Sequence, residues 1–225
     1  MKRIRQGEVL VACETLRDEL FAAFEQAGGE LPVIWLESGL HHTPSKLKRR
    51  LEAELDNLGD SVDFEVSRVL LALGNCGNAV HGIESRDYEL VVPHVDDCIS
   101  LLLGSDKHRE EVARELAAIY LTAGWMRGER TPVVEYEHAK KRYGEEQARE
   151  VLEMMYKHYR TIALLDTGTY PMDALMDETE RVSELLGLPR VCIPASCSYL
   201  TKLIAGPWDD EAFIVVPPHS RISFL

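Results

Sequence analysis

Short apolar runs bounded by glycine, proline or aspartate recur along this chain, with amphipathic stretches of helical period between them. Val9 to Cys13, Pro32 to Leu36, Arg68 to Leu73 and Tyr88 to Val92 read as strands in the first half. Thr161 to Leu165, Arg190 to Ile193 and Phe213 to Val216 read as strands in the second. They lack the polar alternation of a sheet with one wet face, so both faces are expected to be covered. Leu16, Leu20, Phe21 and Phe24 give Thr15 to Gln26 a helical stripe that stops at Gly28-Gly29. Thr43 and Pro44 suit the cap and first turn of a helix over Ser45 to Leu55. Further helices are predicted from about Asp97 to Leu103, over Asp106 to Ala123, over Glu135 to Tyr159 and over Glu178 to Leu186. The alternation predicts an α/β fold, a mainly parallel sheet with helices on both faces.

One segment echoes another. Val92 to Leu103 aligns without gaps on Ile193 to Ile204, each a strand, a proline, a polar turn and an apolar helix. The echo suggests a single α/β domain over 1–225 divided into two related Rossmann-like lobes, 1–105 and 160–225, joined by helices within 106–159. Any β-α junction can produce such a match, so an undivided domain is the other reading.

Composition narrows the function classes. A net charge of −13 with a pI near 5.1 leaves no basic face for a phosphate backbone, so a nucleic-acid partner is not expected. No run approaches the length of a membrane span. The apolar stretch behind the basic start Met1 to Arg5 is too short for a signal-peptide core. Five cysteines at irregular spacing fit a reducing cytoplasm better than a disulfide framework.

The candidate chemistry is sulfur and imidazole at strand ends. Cys13 closes the first strand, Cys76 lies in Gly74-Asn75-Cys76-Gly77-Asn78, and Cys98 follows Asp96-Asp97. In an open α/β sheet the ligand crevice lies outside the carboxyl ends of the strands. Cys13, Cys76 and Cys98 with His41 form a candidate site for zinc or another thiolate-binding metal, although the spacing matches no zinc ribbon or ferredoxin. Taken alone, Cys13 reads as a small buried hydrophobe. Cys76 or Cys98 is also a candidate nucleophile, with His41 or His94 as base. Gly74, Asn75, Gly77 and Asp97, with Asp166 and Thr167 after a later strand, are candidate ligand-binding positions. Asp96 or Asp97 serves equally as a helix cap, and Asp166 to Tyr170 equally as a plain turn. Cys192 is expected in the core, and Cys197 is free to join the cleft. Glu14 is the expected carboxylate behind His41.

The combination of Ala12-Cys13-Glu14, Leu40-His41 with Pro44 and Leu47, Gly74-x-Cys76-Gly77, Pro93 with Asp97-Cys98 and Leu103-Gly104, and Tyr120-Leu-Thr-x-Gly-Trp125 resembles the family called domain of unknown function 1638. After Pro93, where the family pattern leads one to expect arginine, this chain has His94. The resemblance implies a context in anaerobic microbes, near corrinoid-dependent methyltransferases. The resulting expectation is a cytosolic metal-binding protein in or accessory to methyl-group and corrinoid metabolism, with a corrinoid as substrate or partner. Two other readings stand beside it: a small-molecule binding or chaperone module without turnover, and a metal-free cysteine-nucleophile enzyme.

Overall fold

The computed structural model describes residues 3–4, 6–128, 130–209 and 211–224, with Arg3 and Ile4 described by backbone alone. The first half contains β1 (Arg3–Ile4), β2 (Glu8–Cys13), α1 (Arg17–Ala27), β3 (Gly29–Glu30), β4 (Val33–Leu36), α2 (Pro44–Asp56), α3 (Leu58–Ser61), β5 (Arg68–Ala72), β6 (Glu89–Pro93) and α4 (Cys98–Leu103). Next come α5 (Asp106–Leu116), β7 (Ala118–Leu121), α6 (Ala123–Met126), α7 (Pro132–Tyr143) and α8 (Glu145–Tyr156). The remainder is β8 (Thr161–Asp166), α9 (Met172–Glu178), α10 (Glu180–Leu186), β9 (Arg190–Pro194), α11 (Ser198–Ala205) and β10 (Phe213–Val216).

The expected α/β fold with parallel strands and flanking helices is present, but the strands form two principal sheets. Five run in the order β10-β6-β5-β2-β4, parallel except for β10, which pairs antiparallel with β6. Three run β7-β8-β9, all parallel. Strand period 2 sorts the apolar residues onto both faces of the larger sheet. Leu10, Ala12, Leu70, Ala72 and Val91 share one core with residues of α1, α4 and α11 and with Ala118, Ala163 and Leu165 of the smaller sheet. Val9, Val11, Val69, Leu71, Leu90 and Val92 face the other way onto Leu47, Leu51 and Leu55 of α2. The far face of the smaller sheet is covered by Leu175 and Val182 of α9 and α10. A central helical layer is thus shared by the two sheets; the larger sheet joins four strands of the 1–105 segment to β10 of the 160–225 segment, and the smaller takes β7 from the 106–159 segment between them.

Two helical stretches break where they were expected to continue. The one from Asp106 ends at Leu116, because Ala117 takes a left-handed φ of 45° and turns the chain into β7. The one beginning near Glu135 is split by Gly144, at φ 89°, into α7 and α8. Cys192 is exposed rather than core, because β9 is an edge strand and its outward face has no covering helix at that position.

At the amino ends of the larger sheet, Arg68 closes the edge by pairing with Glu8 at 2.7 Å and Glu89 at 2.6 Å. The carboxyl ends of β2, β5 and β6 open onto a cleft.

Candidate functional site

The cleft lies between the carboxyl ends of β2, β5 and β6 on one side and the end of β7 with α5 and α6 on the other. Its volume is about 650 Å³, within the usual range for small-molecule sites. Thr15, His41, Cys76, Gly77, Asp97 and Cys98 line the first wall. Arg109, Tyr120, Thr122 and Trp125 line the second.

Two glycines allow the close approaches, Gly74 within the first wall and Gly124 between the two walls. A Cβ on Gly74 would stand 2.4 Å from the carbonyl carbon of Asp97, and one on Gly124 would stand 2.1 Å from the carbonyl oxygen of Thr15. Only hydrogen fits in either place. The loop after β5 is further pinned to the loop after β6, with the Asn75 N–H donating to Val95 O at 3.0 Å and the Cys76 N–H to Asp96 O at 2.7 Å. That docking holds Cys76 at φ 42°, a left-handed conformation that disfavours a residue with a Cβ.

Cys13, Cys76 and Cys98 converge. The Cys76 and Cys98 sulfurs are 4.0 Å apart, and Cys98 is close enough to Cys13 for their thiols to hydrogen-bond. Cys13 Sγ also lies 3.0 Å from Thr15 Oγ1. The contact with Cys98, followed by burial, pushes the Cys13 thiol well above its ordinary range. For Cys98, the contact with Cys13 acts downward but is outweighed by Cys76 and burial, so this thiol too is raised well above the ordinary value. Neither is a resting thiolate at neutral pH. All five cysteines are free.

His41 sits in a 3-10 turn, Leu40–His42, between β4 and α2, with its ring centroid 4.3 Å from that of His42. Burial, then the charge of His42, lowers its pKa to about 4, leaving a neutral imidazole at pH 7. Its expected partner, Glu14, pairs with Arg17 at 3.5 Å instead, one helical turn along the same segment. Among the described residues, no group of three or more His, Cys, Asp or Glu side chains could hold a metal ion as it stands.

Asp97 is the N-cap of α4, accepting from the Ser100 N–H at 2.8 Å through Oδ1 while Oδ2 accepts from Arg109 Nε at 3.1 Å. The Asn75 side chain is buried, donates to Asn78 Oδ1 at 2.9 Å and accepts from the His81 N–H at 3.2 Å. His94 is not brought to the cleft. Its N–H donates to Ala212 O at 2.8 Å, and its ring faces Phe224 across 5.9 Å beside a different hollow. Asp166 and Thr167 lie at the end of β8, outside the cleft lining, where Asp166 Oδ1 accepts from the Gly168 N–H at 3.1 Å in a local turn. Thr167 Oγ1 donates to Glu19 Oε1 at 3.3 Å, and Cys197 is buried next to the Thr167 carbonyl instead of entering the cleft. Sequence reasoning missed Arg109 altogether. Tyr120, Thr122 and Trp125 were visible only within the Tyr120 to Trp125 motif, because no spacing rule links a crossover helix to a strand end in another sheet.

Residues 35–204 match the family described as protein of unknown function (DUF1638). The chain belongs to that family. The matched segment contains His41, Cys76, Cys98, Arg109 and Trp125, whereas Cys13 lies ahead of it. No curated protein and no solved structure matches the chain. Among the described residues, no helix is long and apolar enough to cross a membrane.

Proposed function

We propose that this protein holds a zinc-like, thiophilic metal ion through Cys13, Cys76, Cys98 and His41 and offers it to a small molecule in the cleft. Its setting in this reading is the cytosol, within or alongside methyl-group and corrinoid metabolism. The observation that carries the reading is the convergence of three thiols, each from a different strand end, two of which, Cys76 and Cys98, line the cleft. Soft thiolates and neutral imidazole are the donors that zinc and its neighbours select. Two sulfurs on one tetrahedral zinc stand about 3.8 Å apart, close to the 4.0 Å between Cys76 and Cys98. Thiols kept protonated by one another and by burial ionise when a cation replaces their protons. The third donor must move, since no three-donor group is gathered among the described residues. An ion held with an open position supplies Lewis-acid activation of a ligand thiol or water. The metabolic setting rests on the family resemblance alone.

A ligand-binding or chaperone module without turnover draws on the same cleft and needs no metal. The metal-free nucleophile keeps Cys76 and His41 on the cleft wall but loses Cys98, whose thiol is raised, and His94, which lies elsewhere. Metal analysis of anaerobically purified protein tests the reading. Stoichiometric metal in the parent and in Cys192→Ser, with loss in folded Cys76→Ser and Cys98→Ser, supports it. Parent protein that stays metal-free after anaerobic incubation with zinc overturns it and leaves the binding module.

A further inference from the structure

The geometry points to an anion subsite in the cleft, at which Arg109 and Tyr120 receive the acidic group of a small organic ligand whose apolar part lies against Leu102, Ile119 and Trp125. The inference rests on the cleft being a ligand site and is independent of whether a metal occupies the thiols.

Arg109 is held from two sides. Its Nε donates to Asp97 Oδ2 at 3.1 Å, and its guanidinium carbon lies 4.9 Å from the centre of the Tyr120 ring. Asp97 is itself fixed by the Ser100 N–H. The long side chain is therefore ordered before any ligand arrives, which removes much of the entropy loss on binding. The terminal nitrogens of Arg109 donate to no acceptor among the described residues, and Arg109 remains partly exposed on the cleft wall. A planar fork with free N–H groups matches a carboxylate or sulfonate.

Tyr120 supplies the second observation. Its hydroxyl is enclosed and has no hydrogen-bond partner among the described residues, a state that buried polar atoms rarely keep. Tyr120 is among the cleft-lining residues, with the Arg109 guanidinium over its ring. Among the described cleft-lining residues Asp97 alone is a carboxylate, and both of its oxygens are engaged. The neighbouring Asp106 faces a separate hollow and accepts the Asp96 N–H. The remaining lining is largely apolar, which suits an acid with a short carbon chain.

Saturation-transfer NMR with butyrate, propanesulfonate and the neutral butyramide tests the inference. Butyrate and propanesulfonate are expected to bind the parent at least tenfold more tightly than butyramide, with an affinity that falls as salt is raised. Arg109→Gln should weaken butyrate at least tenfold and Tyr120→Phe severalfold, while the exposed control Arg149→Gln changes nothing. Arg109→Lys, which keeps the charge and loses the fork, should fall between them and covers the case of a glutamine variant that fails to fold. Equal binding of butyrate and butyramide overturns the subsite but leaves the cleft as a ligand site. Binding of neither overturns the subsite together with the cleft. Loss of metal from Cys76→Ser with butyrate affinity intact separates this subsite from the metal reading.

Discussion

Gly74 and Asp97 touch through their backbones, with the Gly74 Cα so near that a Cβ would lie 2.6 Å from the Asp97 Cα and 2.7 Å from its carbonyl oxygen. The loops that carry Cys76 and Cys98 are locked at this point. Because the obstruction is backbone, no side-chain rotation relieves it. Gly74→Ala is expected to destabilise the fold by about 2 kcal/mol or more, as overpacked positions do. Urea unfolding measures the loss; an alanine variant within a few tenths of a kcal/mol of the parent would show that the loops can separate freely.

Cys76 carries a different cost. Its φ of 42° disfavours any side chain by roughly 1–2 kcal/mol, and residues held in such conformations cluster at functional sites. Cys76→Gly should therefore be more stable than Cys76→Ala by about 1 kcal/mol, while both lose thiol-dependent binding. A paired comparison of unfolding midpoints and metal content checks it, and equal stability of the two variants would contradict the backbone argument.

Glu19 is fully buried on α1, with Oε2 unpartnered among the described residues, and burial raises its pKa to about 7. Asp18 raises it further, while Thr167 and Arg127 act in the opposite direction. The native state thus holds a proton that the unfolded chain releases near its ordinary carboxyl value. Stability is full below that value, declines as pH rises toward about 7, and stays at its lower level above. The difference is about 3 kcal/mol at most. Glu19→Gln, which keeps the acceptor for Thr167, should remove most of this slope and be more stable than the parent at pH 8. Denaturation at pH 5 and pH 8 measures it, and an unchanged slope would show that Glu19 is ionised in the fold.

Thiol labelling separates the cysteines by environment. Cys192 is exposed on the edge strand β9, whereas burial raises the Cys197 thiol to about 11, and Cys98, despite the downward pull of Cys13, is held high by Cys76 and burial. At pH 7.5 the fast phase of reaction with an aromatic disulfide should vanish in Cys192→Ser and persist in Cys98→Ser and Cys197→Ser. A fast phase lost with Cys98 would show a thiolate at rest in the cleft.

The strands of the larger sheet were legible because their apolar runs end in glycine, proline and aspartate, and those endings place Cys13, Cys76 and Cys98 on one edge. Strand β7 was hidden, because Ala117, a good helix former, carries the left-handed turn that glycine usually signals. Without β7, the opposing wall of the cleft and its Arg109 and Tyr120 could not be placed. Cys192 was misjudged for a related reason: an apolar run does not reveal whether its strand is central or at an edge. His94 and Asp166 follow strands as the thiols do, yet one faces Phe224 and the other closes a local turn, since sequence fixes the strand end but not the direction of the side chain beyond it.

The antiparallel pairing of β10 with β6 also bears on how the chain is made. Phe213 registers with Pro93 and Val216 with Leu90, so the outer edge of β6 waits for a segment roughly 120 residues downstream. At about 5–20 residues per second, ribosomal synthesis leaves that edge uncovered for on the order of ten seconds. During this interval Val91 and Val92 sit on an open strand, the kind of template on which nascent chains pair with the wrong partner. Synthesis rate and chaperone capture thus bear on the yield of this protein through one late strand.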